Sequence, residues 1–471
     1  MIVPADRRIR PAESLGRVHF IGIGGAGMSG IARIMRSRGI AVSGSDAKDS
    51  PVLAELAGLG AQVFAGHDPA HLGTADTVVV STAIRESNPE YVAARERGLL
   101  VLPRAAALAA VMAGRQAIAV AGTHGKTTTT AMLAVALRAA GADPSFVIGG
   151  SLMAGGEAAH DGTGELFVAE ADESDGSFLI YTPHAAIVTN VEPDHLDHYG
   201  TPEAVTKAFI DFADRISPDG FLVTCVDDPG ARMLAESARS RGIQVWGYGE
   251  SAGADAHIGA VTPDRTGWAF TLTLPGRAAL PAWVPEPKRH DVANAAAALT
   301  VGLGLGLPGD RLVAGLAAFS GTKRRFELRG LAGGVRVYDD YAHHPTEVAA
   351  TLRAARQVAG DGRVIAVFQP HLFSRTRFFA AEFGAALGLA DRVVVLDVYP
   401  AREDPVPGVT GALVANAVPL PAGRVRFVAD KAAAPAVVAA TAKSGDVVIT
   451  LGAGDVTEVG PAVLARLEMP P

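Results

Sequence analysis

The chain has 471 residues, of which 49% are hydrophobic and 19% charged, and its formal net charge is −7. This composition excludes a disordered chain, and the acidic balance argues against nucleic-acid binding driven by overall charge. At roughly 100–200 residues per domain, the length predicts about three domains. The single cysteine, Cys225, excludes an internal disulfide, and no signal-peptide pattern opens the sequence, so we expect a cytoplasmic protein.

The first segment alternates strand and helix patterns. The run RVHFIGIGG at 17–25 is typical of a buried strand that enters a glycine turn, and 28–39 of the helix that follows it. A second strand pattern ends at Asp46, after which Ser50 and Pro51 form a helix start, with the serine as cap. Strands that alternate with helices in this way predict a parallel sheet with helical crossovers.

Two further segments show the same alternation, the second beginning near Arg115 and the third near Gly321. The second includes a more polar stretch, 257–274, whose alternation predicts antiparallel strands. The uncharged run 292–309 predicts a buried helix and a glycine-rich turn, and we expect no membrane span. The fold class is therefore α/β with three domains in series, at 1–113, 114–321 and 322–471, of which the central one contains some antiparallel strands.

A glycine turn follows the first strand, where Gly22, Gly24 and Gly27 fit the pattern G-x-G-x-x-G. Such glycines let the backbone approach a diphosphate at a helix N-terminus. Asp46 lies about 20 residues further on, where related folds bind a ribose hydroxyl. A nicotinamide cofactor and a UDP-linked substrate fit this turn equally well, and tight packing alone is the alternative that involves no ligand.

A second glycine loop, at 122–127, gives the stronger signal. Gly122 and Gly125 precede Lys126 and Thr127 at a helix start, as in loops that bind phosphates with backbone N–H groups. Lys126 would reach the β- and γ-phosphates of ATP, and Thr127 would bind Mg²⁺. Val120 stands where the usual pattern has glycine, so the loop is a variant, and a plain helix cap is the alternative.

Acidic residues and histidines follow two more strands of the central segment. Glu170 ends one strand and His195 follows another, which makes both candidate Mg²⁺ ligands beside a triphosphate. Each such residue alone is more often part of a solvated loop or a helix cap. Their density where parallel strands end nevertheless favours a ligand site, because ligands of parallel sheets bind at that edge.

The third segment carries polar residues at comparable positions. Asp340 and His344 follow one strand, and His371 and Arg375 follow the next. Arg325, near the proposed domain boundary, could clamp a phosphate during its transfer. A solvated charged face is the alternative for these cations, and a structural pair is the alternative for His343 and His344.

Seven of these runs, taken in order, resemble the Mur ligase family. They are GIGGAGMSGIA, AGTHGKTTTT, EADESDGSF, TNVEPDHLDHYG, GTKRRFELRG, YDDYAHHPTE and FQPHLFSRT. The resemblance implies a Rossmann-like N-terminal domain for the UDP-sugar, a central P-loop ATPase-type domain and a Rossmann-like C-terminal domain for the amino acid. It is strongest to the branch that joins L-alanine to the lactyl carboxylate of UDP-N-acetylmuramate through an acyl phosphate, with ATP and Mg²⁺ as cofactors.

The resemblance also assigns residues. It implies that ATP is bound by Gly122, Thr123, His124, Gly125, Lys126, Thr127, Thr128, His290, Asn294, Arg325 and Asp340. It implies that substrates are bound by Gly22, Gly24, Gly25, Ala26, Gly27, Asp46, Ser81, Glu173, His371, Arg375 and Arg377. It implies Thr127, Glu170 and His195 as metal ligands, and Lys126, Arg325 and His344 as catalytic residues, with His344 as a candidate base for the amine.

Other functions stay open at this point. A related ligase that recycles a tripeptide onto the same nucleotide sugar shares most of the motifs. An NAD-dependent dehydrogenase would explain the first glycine turn alone, and a catalytically silent nucleotide-binding module would explain the loops without turnover. We expect UDP-N-acetylmuramate and L-alanine as partners and no nucleic acid, and the resemblance is compatible with a homodimer.

Overall fold

A computed structural model describes residues 10–81, 83–264, 267–401 and 403–468 of the chain. These residues form two compact units. The first unit contains the described residues up to Thr262, together with Ala269–Val284 and Ala293–Ser320. The second contains the described residues of Pro263–Trp268, Pro285–Val292 and those from Gly321 onward.

The first sheet has five parallel strands in the order β3-β2-β1-β4-β5. The strands are β1 (Val18–Ile21), β2 (Val42–Asp46), β3 (Gln62–Ala65), β4 (Thr77–Val80) and β5 (Leu100–Pro103). The helices are α1 (Ala26–Ser37), α2 (Pro51–Gly58), α3 (Pro89–Glu96) and α4 (Arg104–Met112), with 3-10 turns at Ala12–Leu15 and Pro69–Leu72. The predicted parallel sheet is confirmed. Ser50 caps α2 by accepting the N–H of Leu53, with Pro51 as the first helical residue, as expected.

The second sheet has ten strands in the order β15-β14-β13-β12-β11-β10-β6-β9-β7-β8. They are β6 (Gln116–Ala121), β7 (Ser145–Val147), β8 (Ala159–His160), β9 (Leu166–Glu170), β10 (Ala185–Val188), β11 (Phe221–Cys225), β12 (Gln244–Gly249), β13 (Ala256–Asp264), β14 (Gly267–Thr273) and β15 (Leu280–Val284). Helices α5 (Lys126–Ala139), α6 (Leu196–Tyr199), α7 (Pro202–Ala213), α8 (Pro229–Ser240), α9 (Asp291–Gly304) and α10 (Gly309–Ala317) belong to the same part of the chain, with a 3-10 turn at Ser177–Ile180.

The polar stretch 257–274, predicted to contain antiparallel strands, forms most of β13 and all of β14. β13 also joins β12, which precedes that stretch, in parallel, with Tyr248 opposite Ala256. β13 and β14 are neighbours in the sheet although only two residues separate them in sequence. A connection that short can join antiparallel strands only, because a parallel pair needs a crossover of a dozen residues or more.

The third sheet has six strands in the order β16-β17-β21-β18-β19-β20. They are β16 (Glu327–Ala332), β17 (Val335–Asp340), β18 (Val364–Phe368), β19 (Arg392–Leu396), β20 (Val425–Val428) and β21 (Val447–Leu451). The helices are α11 (Pro345–Ala359), α12 (Phe373–Leu387), α13 (Gly411–Ala417), α14 (Ala434–Ala439) and α15 (Val459–Leu467), with 3-10 turns at Lys431–Ala433 and Asp455–Glu458. β16 pairs antiparallel with β17, whereas the other neighbours pair in parallel.

One continuous hydrophobic core underlies the first two sheets. Phe20 and Val79 of the first sheet belong to the same buried cluster as Ala119, Phe167 and Val188 of the second. The third sheet has a separate buried cluster on each face. Helix α9 begins the uncharged run 292–309 and is lined with buried alanines, and no helix in the described part of the chain has the length and apolar character needed to cross a membrane.

Candidate active site

The first glycine turn leaves β1 and enters α1. Gly22 has a φ of +83°, and Gly25 caps the helix, so Ala26 and Gly27 lie in its first turn. Asp46, at the end of β2, accepts the N–H of Gly24 at 2.9 Å. Ser81, which follows β4, is close as well, since a Cβ at Gly22 would lie 3.6 Å from its Oγ. The structure therefore brings the predicted sugar-nucleotide residues of this domain together.

Arg104 also reaches this turn, although no motif in the sequence predicted it as a site residue. A Cβ added to Gly27 would lie 3.2 Å from Arg104 Cδ and Nη1, and Nη2 donates to Asp172 Oδ2 at 3.2 Å. The guanidinium thus lies beside the first turn of α1, while Arg104 itself opens α4. A cation near the positive end of a helix dipole is unfavourable unless an anion compensates it. Asp172 supplies that anion here.

The phosphate loop joins β6 to α5 with two left-handed glycines. Gly122 has a φ of +127°, and Gly125, with a φ of +82°, caps α5, so Lys126 is the first helical residue. Thr127 and Thr128 follow in the first turn with their side chains buried. Asn294 in α9 lies over the cap, since a Cβ at Gly125 would be 2.8 Å from its Oδ1. The predicted ATP residues of the first unit therefore lie together.

Lys126 is held by its own loop and by one carboxylate. Its Nζ donates to the carbonyls of Gly122 at 2.6 Å and Thr123 at 3.2 Å, and to Glu173 Oε1 at 2.9 Å. Burial works against the ammonium, but Glu173, Asp172 and Glu170 together raise the pKa of Lys126. Glu173, predicted to bind substrate, is 2% exposed and pairs with this lysine.

Two oxygen donors of the predicted metal site are in direct contact. Thr127 Oγ1, at the start of α5, donates to both carboxylate oxygens of Glu170 at 3.0 and 3.2 Å. Adjacent ligands of an octahedral Mg²⁺ at 2.0–2.1 Å are about 3 Å apart, so this pair fits the ion that prefers oxygen. His195, with a φ of +52°, lies 3.9 Å from Glu173 Oε1 through Nε2, which places it in the same acidic group.

The acidic group has uneven proton affinities. Burial disfavours the charge on Asp172, but Arg104 and Lys126 outweigh burial and lower its pKa to about 2. Burial raises the pKa of Glu173 to about 7, in spite of Lys126. One carboxylate of the segment therefore stays charged at neutral pH while another titrates there.

In the second unit the two neighbouring arginines have different surroundings. Arg324 contacts Asp339 at 3.2 Å and donates to the carbonyls of Gly452 and Gly454 at 2.7 and 3.1 Å. Arg325 lies 5.3 Å from the centroid of the Tyr341 ring and 3.8 Å from Glu347 Oε1. Arg324 therefore ties parts of the fold together, and the phosphate contact expected of Arg325 stays a prediction.

Tyr341 is a second residue that sequence reasoning missed. Burial raises the pKa of its hydroxyl, while Arg325, Arg324 and Arg375 act in the opposite direction because their charges face the ring. Arg375 is buried on α12, whereas Arg377, two residues further on, is exposed on another side of the helix. The structure thus groups three arginines around Tyr341 and leaves Arg377 apart from them.

Asp340 and His344 hold the backbone of the second unit. Asp340 is 1% exposed, accepts the N–H groups of Phe326 at 2.8 Å and Ala342 at 2.9 Å, and lies 3.4 Å from Lys288 Nζ. His344 caps α11, because its Nδ1 accepts the N–H of Thr346 at 3.4 Å. A neutral imidazole that accepts through Nδ1 carries its proton on Nε2. The base role expected of His344 stays a prediction.

The remaining predicted residues of the second unit are accounted for. The ring of His371 stacks on Tyr399 with centroids 5.8 Å apart, at the end of β18. His290 is 46% exposed, immediately before the buried Asp291. The sequence indicated His371 because it follows a strand end, and the resemblance indicated His290.

With this geometry established, comparison with known proteins decides the family. The Mur ligase family model for the catalytic domain matches residues 17–116, that for the middle domain 120–302, and that for the glutamate ligase domain 324–454. The chain belongs to the Mur ligase family. The resemblance inferred from the seven runs is thereby confirmed.

Individual Mur ligases are similar over nearly the whole chain. The UDP-N-acetylmuramate–L-alanine ligase of Kineococcus radiotolerans is 60% identical over 99% of each chain, and that of a Nocardioides species is 59% identical over 99% of this chain and 100% of its own. Among solved structures, the UDP-N-acetylmuramate–alanine ligase of Thermotoga maritima has a TM-score of 0.81 and 28% identity, covering 96% of this chain and 98% of its own. A murein peptide ligase of Psychrobacter arcticus scores 0.73 with 26% identity, covering 97% of this chain and 99% of its own.

Proposed function

We propose that this Mur ligase joins L-alanine to the lactyl carboxylate of UDP-N-acetylmuramate, with cleavage of ATP to ADP and phosphate, in the synthesis of peptidoglycan precursors. The observation that carries the proposal is the 60% identity, over 99% of both chains, to a ligase of that name. The tripeptide-recycling alternative is less favoured, because relatives 59–60% identical are L-alanine ligases, whereas the murein peptide ligase of Psychrobacter arcticus is 26% identical.

On the ATP side, the loop 122–127 binds the phosphates with its N–H groups and Lys126 neutralises their charge. Lys126 must exchange Glu173 for phosphate oxygens, and its raised pKa keeps it charged while it does so. Asn294 lies over the cap of the loop and contacts the nucleotide there. Phosphoryl transfer depends mainly on positioning and charge neutralisation, which these groups supply.

Mg²⁺ would be held by Thr127, Glu170 and His195. The contact between the Thr127 hydroxyl and the Glu170 carboxylate supports this set, since both are oxygen donors of the kind that Mg²⁺ prefers. When bound, the ion supplies positive charge that offsets the negative charge developing on the phosphates.

On the sugar-nucleotide side, the diphosphate binds at the N-terminus of α1. Gly22, Gly24 and Gly27 allow its close approach, and Asp46 stands at the ribose. We add Arg104 to this set, since it lies at the same helix turn and is 23% exposed. Diphosphate would replace Asp172 as its anionic partner.

In the second unit, Arg325, Arg375 and His371 are assigned to the transferring phosphate and the carboxylate of L-alanine. Three arginines around Tyr341 support an anion site there. Asp340 holds the backbone of this unit and is assigned to the ATP side, and His344 caps α11. His344 is also the candidate base that takes the proton from the amine of L-alanine.

The reaction follows two steps. The lactyl carboxylate attacks the γ-phosphate of ATP, forming the acyl phosphate and releasing ADP. The neutral amine of L-alanine then attacks the acyl carbon, the amide C–N bond forms, phosphate leaves, and the amine loses a proton. We further propose three domains, 1–113, 114–321 and 322–471, each containing one of the three sheets, and a cytoplasmic site for the reaction, where ATP is available.

The direct test is phosphate release from ATP and Mg²⁺ in the presence of UDP-N-acetylmuramate, with L-alanine, glycine, L-serine or the tripeptide added separately. We expect release that requires the nucleotide sugar and is fastest with L-alanine. One methyl group discriminates by about 1–3 kcal/mol, so glycine should be slower by at least about tenfold.

Other outcomes would replace the proposal. Preference for the tripeptide would make the chain a recycling ligase, with the ATP chemistry unchanged. No release with any acceptor, together with tight ATP binding, would indicate a nucleotide-binding module. Quenching of NADH fluorescence on titration would support the dehydrogenase reading of the first glycine turn.

A further inference from the structure

The segment that follows β10, residues 189–192, lies along the phosphate loop and bonds to it at several points. The N–H of Thr123 donates to the carbonyl of Asn190 at 3.2 Å, and Thr123 Oγ1 accepts the N–H of Glu192 at 2.9 Å. Thr189 Oγ1 donates to the carbonyl of His124 at 2.5 Å. A Cβ at Gly122 would collide with that same hydroxyl.

The side chain of Asn190 makes the most specific of these contacts. Its Oδ1 accepts the N–H of His124 at 2.8 Å, and its Nδ2 donates to the carbonyl of the same residue at 3.2 Å. The amide therefore pairs with both backbone groups of His124, as a neighbouring strand would. An aspartate or a leucine at this position could not satisfy both.

The loop has reason to need such support. Gly122 and Gly125 both occupy the left-handed region, and glycine is the residue that loses the most conformational freedom on ordering. Fixing the backbone of one residue costs about 1–2 kcal/mol of conformational entropy. A loop that had to order itself on ATP would lose that free energy from binding, whereas a loop fixed beforehand does not.

We propose that Asn190 is a positioning residue for ATP, which fixes the phosphate loop through His124 so that its N–H groups already face the phosphates. The inference deepens the proposed ATP site and rests on it. Asn190 acts through the loop backbone and belongs to the same segment that leads to His195, five residues later in the sequence. Loop geometry and the predicted metal ligand are thereby fixed by one stretch of chain.

The test compares Asn190→Ala with the wild type by equilibrium binding of ATP and of AMP, without acceptor substrates. Loss of two hydrogen bonds to the loop should weaken ATP binding about tenfold. AMP, which lacks the β- and γ-phosphates, should bind with affinity within about twofold of the wild type. In turnover, KM for ATP should rise while KM for the nucleotide sugar stays unchanged.

Two further variants separate positioning from simple destabilisation. Thr224→Val is the matched control, because Thr224 Oγ1 donates to the carbonyl of Val188 in β10 at 3.1 Å, a buried bond in the same sheet. It should leave ATP affinity unchanged. Asn190→Asp keeps the acceptor for His124 N–H but loses the donor, and it should regain ATP affinity as the pH falls, because a protonated carboxyl again donates to the carbonyl.

The proposal is overturned if Asn190→Ala folds like the wild type and binds ATP equally well. It is also overturned if ATP, AMP and nucleotide-sugar affinities all fall together, since that pattern indicates general loss of structure. Because ATP binding requires no acceptor, a chain that fails to ligate L-alanine but shows the expected ATP-specific loss would contradict the proposed function alone.

Discussion

The two glycine turns of the first unit share one backbone arrangement but obtain their positive charge from different places. Each leaves a parallel strand and enters a helix, yet the loop at 122–127 carries its own cation, Lys126, at the first helical position. The turn at 22–27 has none, and its cation, Arg104, comes from the start of α4. A loop with its own lysine is suited to a phosphoryl group that is transferred during the reaction. The other turn is suited to a diphosphate that is bound but does not react.

The largest expected effect on catalysis is at Lys126, the cation of the second turn. Lys126→Ala should lower kcat by about 10²–10³, because the ammonium stabilises charge on the transferring phosphoryl group. Binding of UDP-N-acetylmuramate, measured by calorimetry, should be unchanged. Lys207→Ala is the control, since Lys207 is 72% exposed and pairs with Asp211 on the surface of α7. Turnover within about twofold of the wild type would remove Lys126 from the mechanism.

Alanine substitutions at Gly22 and Gly122 compare how much ligand binding at each turn depends on its glycine. Both Gly22 and Gly122 have positive φ, so each alanine should cost about 1–2 kcal/mol in backbone strain. At Gly122 the new Cβ also collides with Thr189, whereas at Gly22 its nearest neighbour is Ile84 Cδ1 at 3.4 Å. Gly122→Ala should therefore weaken ATP binding by more than about tenfold, and Gly22→Ala should weaken nucleotide-sugar binding less. Equal losses would show that the Thr189 contact does not matter.

Substitution of Arg104 tests whether this residue supplies the positive charge of the first turn. Arg104→Ala should raise KM for UDP-N-acetylmuramate about tenfold, the effect of one charged hydrogen bond, and leave KM for ATP within about twofold. Arg104→Lys should restore part of the loss because it keeps the charge without the planar fork. Arg17→Ala serves as control, since Arg17 pairs with Asp76 at the surface. An unchanged KM would leave Asp172 as the sole partner of Arg104.

The smallest effect on catalysis is expected at Glu90, which is fully buried beneath the first sheet. It lies 2.9 Å from His71 Nδ1 and 3.5 Å from both His19 Nε2 and His67 Nδ1. Burial would raise the pKa of Glu90, but hydrogen bonds from His19, Ser45 and His71 lower it to about 2. Glu90→Gln should lower the free energy of unfolding by a few kcal/mol at pH 7 with kcat nearly unchanged.

The sign of the pH dependence follows from that lowered pKa. A carboxyl with a lower pKa in the folded state stabilises the fold above its unfolded value, near 4.5, and loses that contribution as the pH falls toward 2. Urea unfolding of both proteins between pH 7 and pH 4 should therefore show the difference between them shrinking at the acid end. A difference that is constant with pH would assign the effect to packing.

Sequence reasoning reached the parts of the site that are local in the chain. The phosphate loop, the cap at Ser50 and the strand-end positions of Glu170 and Asp46 each follow from a few consecutive residues and the period of the elements around them. Parallel sheets bring such strand ends to one edge, so the grouping of Asp46 with Gly24, and of Glu170 with Thr127, was predictable.

Contacts between distant segments were out of reach. Arg104 contacts Gly27 from 77 residues away, and Tyr341 has arginines near it from two places in the sequence, 324–325 and 375. Neither pattern leaves a periodic trace in the sequence. The parallel pairing of β13 with β12 was not predicted, because the alternation within 257–274 does not identify the strand outside that stretch that β13 joins. The position of His344 as the cap of α11 was not predicted either, because it depends on where that helix begins.

Helix α1, which starts at the first turn, packs on the sheet that carries the second. A Cβ at Gly30 would lie 3.1 Å from Val147 Cγ1 in β7, and Arg38 pairs with Asp161 at 2.9 Å just after β8. Together with the shared core, this contact makes the two nucleotide sheets a single unit of unfolding. Amide hydrogens in β6 should therefore exchange more slowly when only the nucleotide sugar is bound. Each ligand then protects the binding site of the other from local unfolding and proteolysis.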